Sequence, residues 1–262
     1  MDNTKPKPTY AAPALEKAFE ILELLADYPQ GALVSEMAAR LKRSVGELFR
    51  IVVVMEQLGY LQRSSTTDRY TVSYKILDLA YRATPAQNLL RLLLPEMRLL
   101  AGLTDQSCHC VVPNDGHGLV IAREESPGVR GFALRVGAAI DMLRSCSGHV
   151  ILAFSEAHRA EQIILAAEKK TGVECDREAL LSQLATVRKR GYDSRKSPIT
   201  YGVTDISFPI LGFDGKIAAA LTIPFLALID GSQKVTLHDA TEMLRLTATR
   251  ISMMAGHRPV SE

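Results

Sequence analysis

The sequence predicts an α+β chain in two parts: a small unit of three helices and a β-hairpin, then a larger unit built on a mostly antiparallel sheet. Three observations lead there. Between residues 15 and 72, three helical stripes precede two short β-like runs, "YLQR" and "RYTV", around the polar "SSTTD". From residue 73 to about 103 the chain reads as helix, broken at Thr84-Pro85. Beyond that, strands and helices alternate, with strand pairs around "NDGHG" and "FDGK". The boundaries are a lead-in at 1–11, a small domain at 12–72, a connecting helix at 73–87 and a large domain at 88–258.

Composition sets the outer bounds. At 262 residues, 47% hydrophobic and 23% charged, the chain has ample material for a core. Its net charge of +2 means that any nucleic-acid surface is local. Four scattered cysteines make no disulfide framework and fit a reducing compartment. The greasiest stretch, 217–229, is too short to span a bilayer and contains Thr222 and Pro224. The opening "MDNTKPKPTYAAP" has no apolar signal core and reads as a disordered, slightly basic lead-in. A soluble cytoplasmic protein with no membrane partner is expected.

The first helix is expected over Leu15–Tyr28, with Leu15, Ala18, Phe19, Leu22 and Leu25 on one stripe and Pro29 ending it. Ser35 is the expected N-cap of the second, which turns Met37, Ala38 and Leu41 inward. Ser44 caps the third. The middle of that helix, Ile51 to Val54, has β propensity, yet Val45, Leu48, Val52 and Met55 recur at steps of three and four. Gly59 stands where a helix C′ residue belongs. The stripe overrules the propensity and leaves Arg43, Glu47, Arg50 and Gln57 on the other face. Three helices and a hairpin within about 60 residues form the winged helix-turn-helix plan, in which the third helix enters the major groove of DNA. From Arg40 to Arg69 there are six basic residues against three acidic ones; from Asn88 onward there are 20 against 19. A basic cluster at a helix start and on a hairpin suits phosphate contacts. The competing reading is a winged helix that contacts protein, its basic residues merely solvated.

In the connecting region Pro95 suits the first turn of a fresh helix, and so apolar a helix is a natural dimerisation element unless it packs on its own domain. The large domain then runs as the hairpin "SCHCVVPNDGHGLVIARE", a strand "RGFALRVG", a helix from "SGHVILAFS" and the amphipathic "HRAEQIILAAEKK". "DREALLSQLATVRKRGY" follows, from an Asp N-cap to a Gly stop, then the strand pair "GVTDISFPILGFDGKIAAALTIPF" and a closing helix "LHDATEMLRLTATRISMMAG". An antiparallel sheet with helices on its faces is the GAF-like shape.

The order of these pieces resembles the IclR family of bacterial transcriptional regulators from roughly Leu15 to Gly256. The carriers are "LEKAFEILELLA", "VSEMAARLKRSVGELFRIVVVMEQLGYL", "RYTVSYKILDLA", "SGHVILAF", "VRKRGYDS" and "YGVTDISFPILGFDGKIAAALTIP". The resemblance implies a winged helix-turn-helix, a linker helix and a C-terminal effector-binding domain. It also implies homodimers, often paired into tetramers, on a double-stranded DNA operator. Arg43, Ser44, Val45, Glu47 and Arg50 are expected at the groove, with Lys42, Arg63, Thr67 and Arg69 at phosphates. Many members begin the third helix with Ser-Thr and an Arg two residues later; here it begins Ser44-Val45-Gly46-Glu47, with Arg50 matching the Arg. Glu47 could accept from a cytosine amino group or repel wrong sites. Members that bind small 2-oxo acids carry an acid after the Gly-Tyr, a Cys after the later Gly, and strand hydroxyls. The matching positions here are read as Arg195, Asp205 and Thr222. Gly137, Ala138, Met142, Ser145 and Ser147 lie on the segment that lines the pocket in relatives. An anionic or hydroxylated effector, such as a sugar acid or an aromatic acid, follows as the expectation. The alternative for Asp205 is a turn or cap residue facing solvent.

No catalytic, metal or cofactor site is expected. On a strand, Cys108 and Cys110 share one face and His109 takes the other, and no second ligand pair completes a zinc set. "SCSGH" lacks the G-x-S-x-G elbow, "GFDGK" has the wrong spacing for a phosphate loop, and neither H-E-x-x-H nor a dinucleotide fingerprint occurs. Glu124 and Glu125 read as strand-end surface residues. The runner-up, a small-molecule-processing enzyme with a winged-helix appendage, lacks a nucleophile–base pair.

Overall fold

A helix stripe, not β propensity, decides the third segment, and the small unit assembles around it. The structure, a computed structural model, describes residues 12–83, 86–128 and 131–258, with backbone alone at 80–83 and 86–88. The lead-in 1–11 and the Thr84-Pro85 break lie outside them. The chain divides into two units, residues 1–85 and 86–262.

In the first unit, α1 (Pro13–Ala26) begins on a proline, whose missing N–H is no loss there. It buries Ile21 and Leu25. Leu15 and Phe19, expected inward, are instead 57% and 58% exposed. The inward stripe runs along Ala18, Ile21, Leu22 and Leu25, which leaves those two on the rim of an open apolar groove. Helix α2 (Val34–Leu41) is capped by Leu33 and not by Ser35, which sits in its first turn. The cap works in reverse: the Glu36 carboxylate accepts the Leu33 N–H at 3.0 Å. Lys42 closes α2 in the left-handed region, φ 53. Helix α3 (Val45–Gln57) follows, its N-cap Ser44 accepting from the Glu47 N–H at 3.3 Å. Leu48, Val52 and Met55 are buried, while Val45, read on the same stripe, is half exposed, as is Val54. Gly59, φ 78, ends the helix as expected. Strands β1 (Leu61–Arg63) and β2 (Tyr70–Val72) pair antiparallel as the wing, and Tyr70 also bridges to Ala32. Helix α4 (Lys75–Ala83) completes the unit.

The second unit opens with α5 (Ala86–Thr104). Pro95 lies inside it, not at the start of a new helix. The proline removes one backbone donor, but Leu93, Met97 and Leu100 are buried on one face and carry the helix through. Strands β3 (Cys108–Asn114) and β4 (His117–Glu124) form the expected hairpin. The expected strand "RGFALRVG" is irregular over 131–137; only β5 (Ala139–Ile140) pairs with β4. Helices α6 (Cys146–Phe154), α7 (Ala157–Thr171) and α8 (Arg177–Arg190) follow, α8 running from the Asp176 cap to Gly191. Strand β6 (Asp193–Lys196), absent from the sequence reading, precedes the long pair β7 (Val203–Leu211) and β8 (Ile217–Leu226). Helix α9 (Leu237–Met254) closes the chain behind a Thr236–Asp239 capping box.

The six strands lie in the order β5-β4-β3-β8-β7-β6, every pair antiparallel. Alternation sends Cys108, Cys110, Ile206, Phe208, Ile210, Leu221 and Ile223 to one face, under α5 and α9. The other face carries Val111, Val120 and Ala220 against α6, α7 and α8. Helix α6 comes very close to the loop before it: a Cβ on Gly148 would lie 2.4 Å from the Met142 carbonyl oxygen. Gly148→Ala is therefore expected to lower the stability of this unit by about 1–3 kcal/mol, measured by urea unfolding; an unchanged midpoint would refute the close approach.

Candidate nucleic-acid interface and effector cavity

The turn between α2 and α3 sets out the basic residues, and intramolecular partners then take up most of their charge. Arg43 reaches Glu20 at 3.4 Å. Glu47 is bound by Lys17, which holds its carboxyl below the usual carboxylate range. Arg63 pairs with Asp68 across the wing turn at 3.0 Å, and the Thr67 N–H donates to Ser64 Oγ. Arg69 is the most committed: it meets both Glu36 oxygens at 2.8 Å and donates to the Gly31 carbonyl. Arg69, expected at phosphates, ties the wing to the start of α2. Glu47 is likewise not a free base acceptor. Ser44 spends its hydroxyl on the helix cap. Lys42 and Arg50, both exposed, have no partner among the described residues. The sequence reading missed Phe49, which stands 51% exposed one turn after Val45 at 49%. Its spacing from Val45 was the available signal.

In the second unit, strand register builds a polar row on the α6 face of the sheet. His109 of β3 lies opposite Thr222 of β8, Thr222 opposite Ser207 of β7, and Ser207 opposite Asp193 of β6. All four are buried. Thr222 and Ser207 share a hydrogen bond at 2.8 Å. Asp193 is held by Arg195 at 2.5 Å and Arg190 at 3.2 Å. At the other end His109 makes no hydrogen bond to a described residue, and its Nδ1 is fully occluded and unpartnered. Burial lowers its pKa to about 4, so the ring is neutral at physiological pH.

That end of the row opens into a cavity of about 320 Å³. Its floor is His109, Thr222, Asp205 and Pro224; its wall is the α6 start, Arg144 to Ser147; Phe132, Leu134 and Ile199 add apolar surface. Ser145 caps α6 through the Gly148 N–H at 3.0 Å, and the helix N-terminus favours negative charge. Burial raises the Asp205 carboxyl, while Ser197 and Arg195 pull the other way. Of the expected effector residues, the fold brings Ser145, Ser147, Asp205 and Thr222 to this cavity. Gly137, Ala138 and Met142 do not line it: Met142 is buried in the core beneath α6, and Gly137 and Ala138 bond to the Val120 backbone at the sheet edge. Arg195 does not line it either, because its guanidinium turns to Asp193. His109 was missed, although alternation around the two cysteines had placed it on the opposite face. Among the described residues no group of three or more His, Cys, Asp or Glu could hold a metal ion. Burial pushes the Cys108 thiol up to about 12 and raises Cys110 and Cys146 as well, so none is an activated nucleophile.

Two family models match this architecture: the IclR helix-turn-helix domain over residues 14–65, and the bacterial transcriptional regulator IclR C-terminal domain over residues 81–253. The chain belongs to the IclR family of transcriptional regulators. It has the family's helix-turn-helix DNA-binding domain and C-terminal effector domain. The HTH-type transcriptional regulator KdgR of Escherichia coli K12 is 26% identical over 244 residues, covering 92% of each chain. The HTH-type transcriptional repressor AllR of the same strain is 21% identical over 219 residues, 81% of this chain and 79% of that one. The families and relatives matched are transcriptional regulators, not enzymes. Two solved structures share the fold. One is an IclR homolog from Microbacterium hydrocarbonoxydans complexed with 4-hydroxybenzoate, with a TM-score of 0.75, 21% identity, and 92% and 98% of the two chains covered. The other is Thermotoga maritima IclR, with a TM-score of 0.70, 24% identity, and 93% and 98% covered. No helix among the described residues is long and apolar enough to cross a membrane.

Within this IclR-family domain the Arg69–Glu36 tie has a separable outcome. Arg69→Ala is expected to lower the melting temperature of the full-length protein's first unit, and Arg69→Lys to restore it only in part, since an ammonium cannot make the two-pronged contact. A melting temperature left unchanged, with a salt slope of DNA binding reduced by about one, would return Arg69 to the phosphates.

Proposed function

We propose that this regulator binds a double-stranded DNA operator through the N-terminal half of α3 and responds to a small organic acid held in the cavity beside α6. The observation that carries the DNA reading is Arg50: an exposed guanidinium with no partner among the described residues, on the third helix of a helix-turn-helix domain. Arg50, Val45 and Ser44 face bases in this reading. Lys42, Arg43, Arg63 and Thr67, all exposed, meet phosphates in this reading. A guanidinium suits the O6 and N7 acceptors of guanine. The work is done in the cytoplasm, where the operator is.

A homodimer, or a dimer of dimers, is part of the same reading. Leu15, Phe19, Val54, Leu58 and Leu79 line an apolar groove of about 650 Å³ in the first unit. Exposed apolar surface of this kind calls for a cover, and a second copy would supply one while doubling the contacts on a two-fold operator.

For the effector, the α6 N-terminus and Arg144 suit a carboxylate, and the neutral His109 with Thr222 suits a hydroxyl or carbonyl. The 4-hydroxybenzoate complex of the Microbacterium homolog supports an acid of that size. The ligand would act by binding one DNA-binding state of the protein better than the other.

Two measurements test the reading. Arg50→Ala is expected to weaken operator binding about tenfold or more at fixed salt, with a smaller loss on scrambled duplex; equal losses on both would remove Arg50 from the bases. A thermal-shift screen of the full-length protein with paired acids that differ by one hydroxyl, such as 4-hydroxybenzoate and benzoate, should show the hydroxy acid stabilising more. His109→Leu should erase about a tenfold preference. No stabilisation by any acid would remove the cavity as an organic-acid site.

A further inference from the structure

Resting on the DNA-binding reading of α3, we propose that Phe49, with Val45 one turn before it, reads the C5-methyl groups of thymine in the major groove. The first half of α3 presents four residues outward: Val45, Gly46, Phe49 and Arg50. Three of them carry no polar side chain. The charges that might have dominated this surface are engaged elsewhere, Glu47 with Lys17 and Arg43 with Glu20. Arg50 is the one charged side chain of this half-helix without a partner among the described residues.

Nothing in the unit's own packing calls for a phenylalanine at this place. The core beneath α3 is Leu48, Val52 and Met55, and neither Phe49 nor Val45 packs against it. Gly46 also has no internal reason. A Cβ there would meet no atom of the chain within 4 Å, and glycine is a poor helix former. The space is on the outer face, where it lets the helix backbone approach a partner closely. Thymine alone among the four bases presents a methyl group in the major groove, and an apolar side chain is its complement. Val45 and Phe49 are four residues apart and stack along one strip of the helix. They therefore span adjacent base steps, with Arg50 beside them to take a guanine edge. The operator half-site this surface fits is one or two thymines flanking a G·C pair.

The test uses the full-length protein. Duplexes are selected from a random library, and the enriched sequence is remade with deoxyuridine at each thymine in turn, which removes only the methyl group. The wild-type protein is expected to lose about fourfold in affinity per methyl contacted, at one or two positions in each half-site. Phe49→Ala should bind thymine and uracil alike at the position Phe49 contacts, keep the response at the Val45 position, and keep the wild-type melting temperature. Val45→Ala should flatten the response at the neighbouring position. Wild-type binding indifferent to uracil at every position, or a Phe49→Ala protein that discriminates at all the positions the wild type does, overturns the proposal and leaves the DNA reading intact. A selection that enriches no duplex overturns the DNA reading and the proposal with it, and points Phe49 to a protein surface.

Discussion

A sheet buried on both faces must send every second residue into each of two cores, and the effector unit is arranged around how β7 and β8 meet that demand. Toward α5 and α9 the buried sheet residues are all apolar. Toward α6 the sheet is crossed by His109, Thr222, Ser207 and Asp193 on four neighbouring strands. Each buried polar group costs stability unless it finds a hydrogen bond. The protein settles the row from one end: two arginines neutralise Asp193, and Ser207 takes Thr222. It does not reach His109. The cavity opens at the His109 end of the row, and the start of α6 lines it.

The small unit shows the same economy of polar groups on its surface. One carboxylate, Glu36, accepts the N–H that precedes α2 and grips Arg69 of the wing. Beside the burial of Leu61 and Tyr70, this link fixes the hairpin next to the helix pair. It also means that a count of basic residues overstates what the surface offers to phosphate. Six basic residues lie between Arg40 and Arg69, but Arg43, Arg63 and Arg69 each have a carboxylate partner.

Local physics was legible in the sequence, and long-range pairing was not. The stripe through Leu48, Val52 and Met55 outweighed three valines because burial at helical spacing dominates a propensity scale of about 1 kcal/mol. Caps and stops such as Ser44, Asp176, Gly59 and Gly191 act within a few residues and were read correctly in place. Pro95 was misplaced because the cost of a mid-helix proline is repaid by burial on a distant sheet. The stretch 131–137 has strand composition yet lies mostly beyond the β4 edge, so composition misled. The cavity was half legible: alternation put His109 opposite the cysteines, and the family resemblance pointed to Asp205 and Thr222. The partners of Arg69, Glu47 and Arg195 are set by tertiary register, which no window along the chain contains.

Those pairings sharpen the choice of functional residues. A side chain already holding a carboxylate must give up that bond before it can bind a phosphate or a base, and the exchange gains little, as surface ion pairs show. A side chain with no partner gives up only water. By that measure Arg50 outranks Arg69 and Arg43 around α3, although the basic cluster had ranked them together. Apolar surface follows the same logic: Phe49 has no core to leave, so any contact it makes with a partner is a net gain of area removed from water.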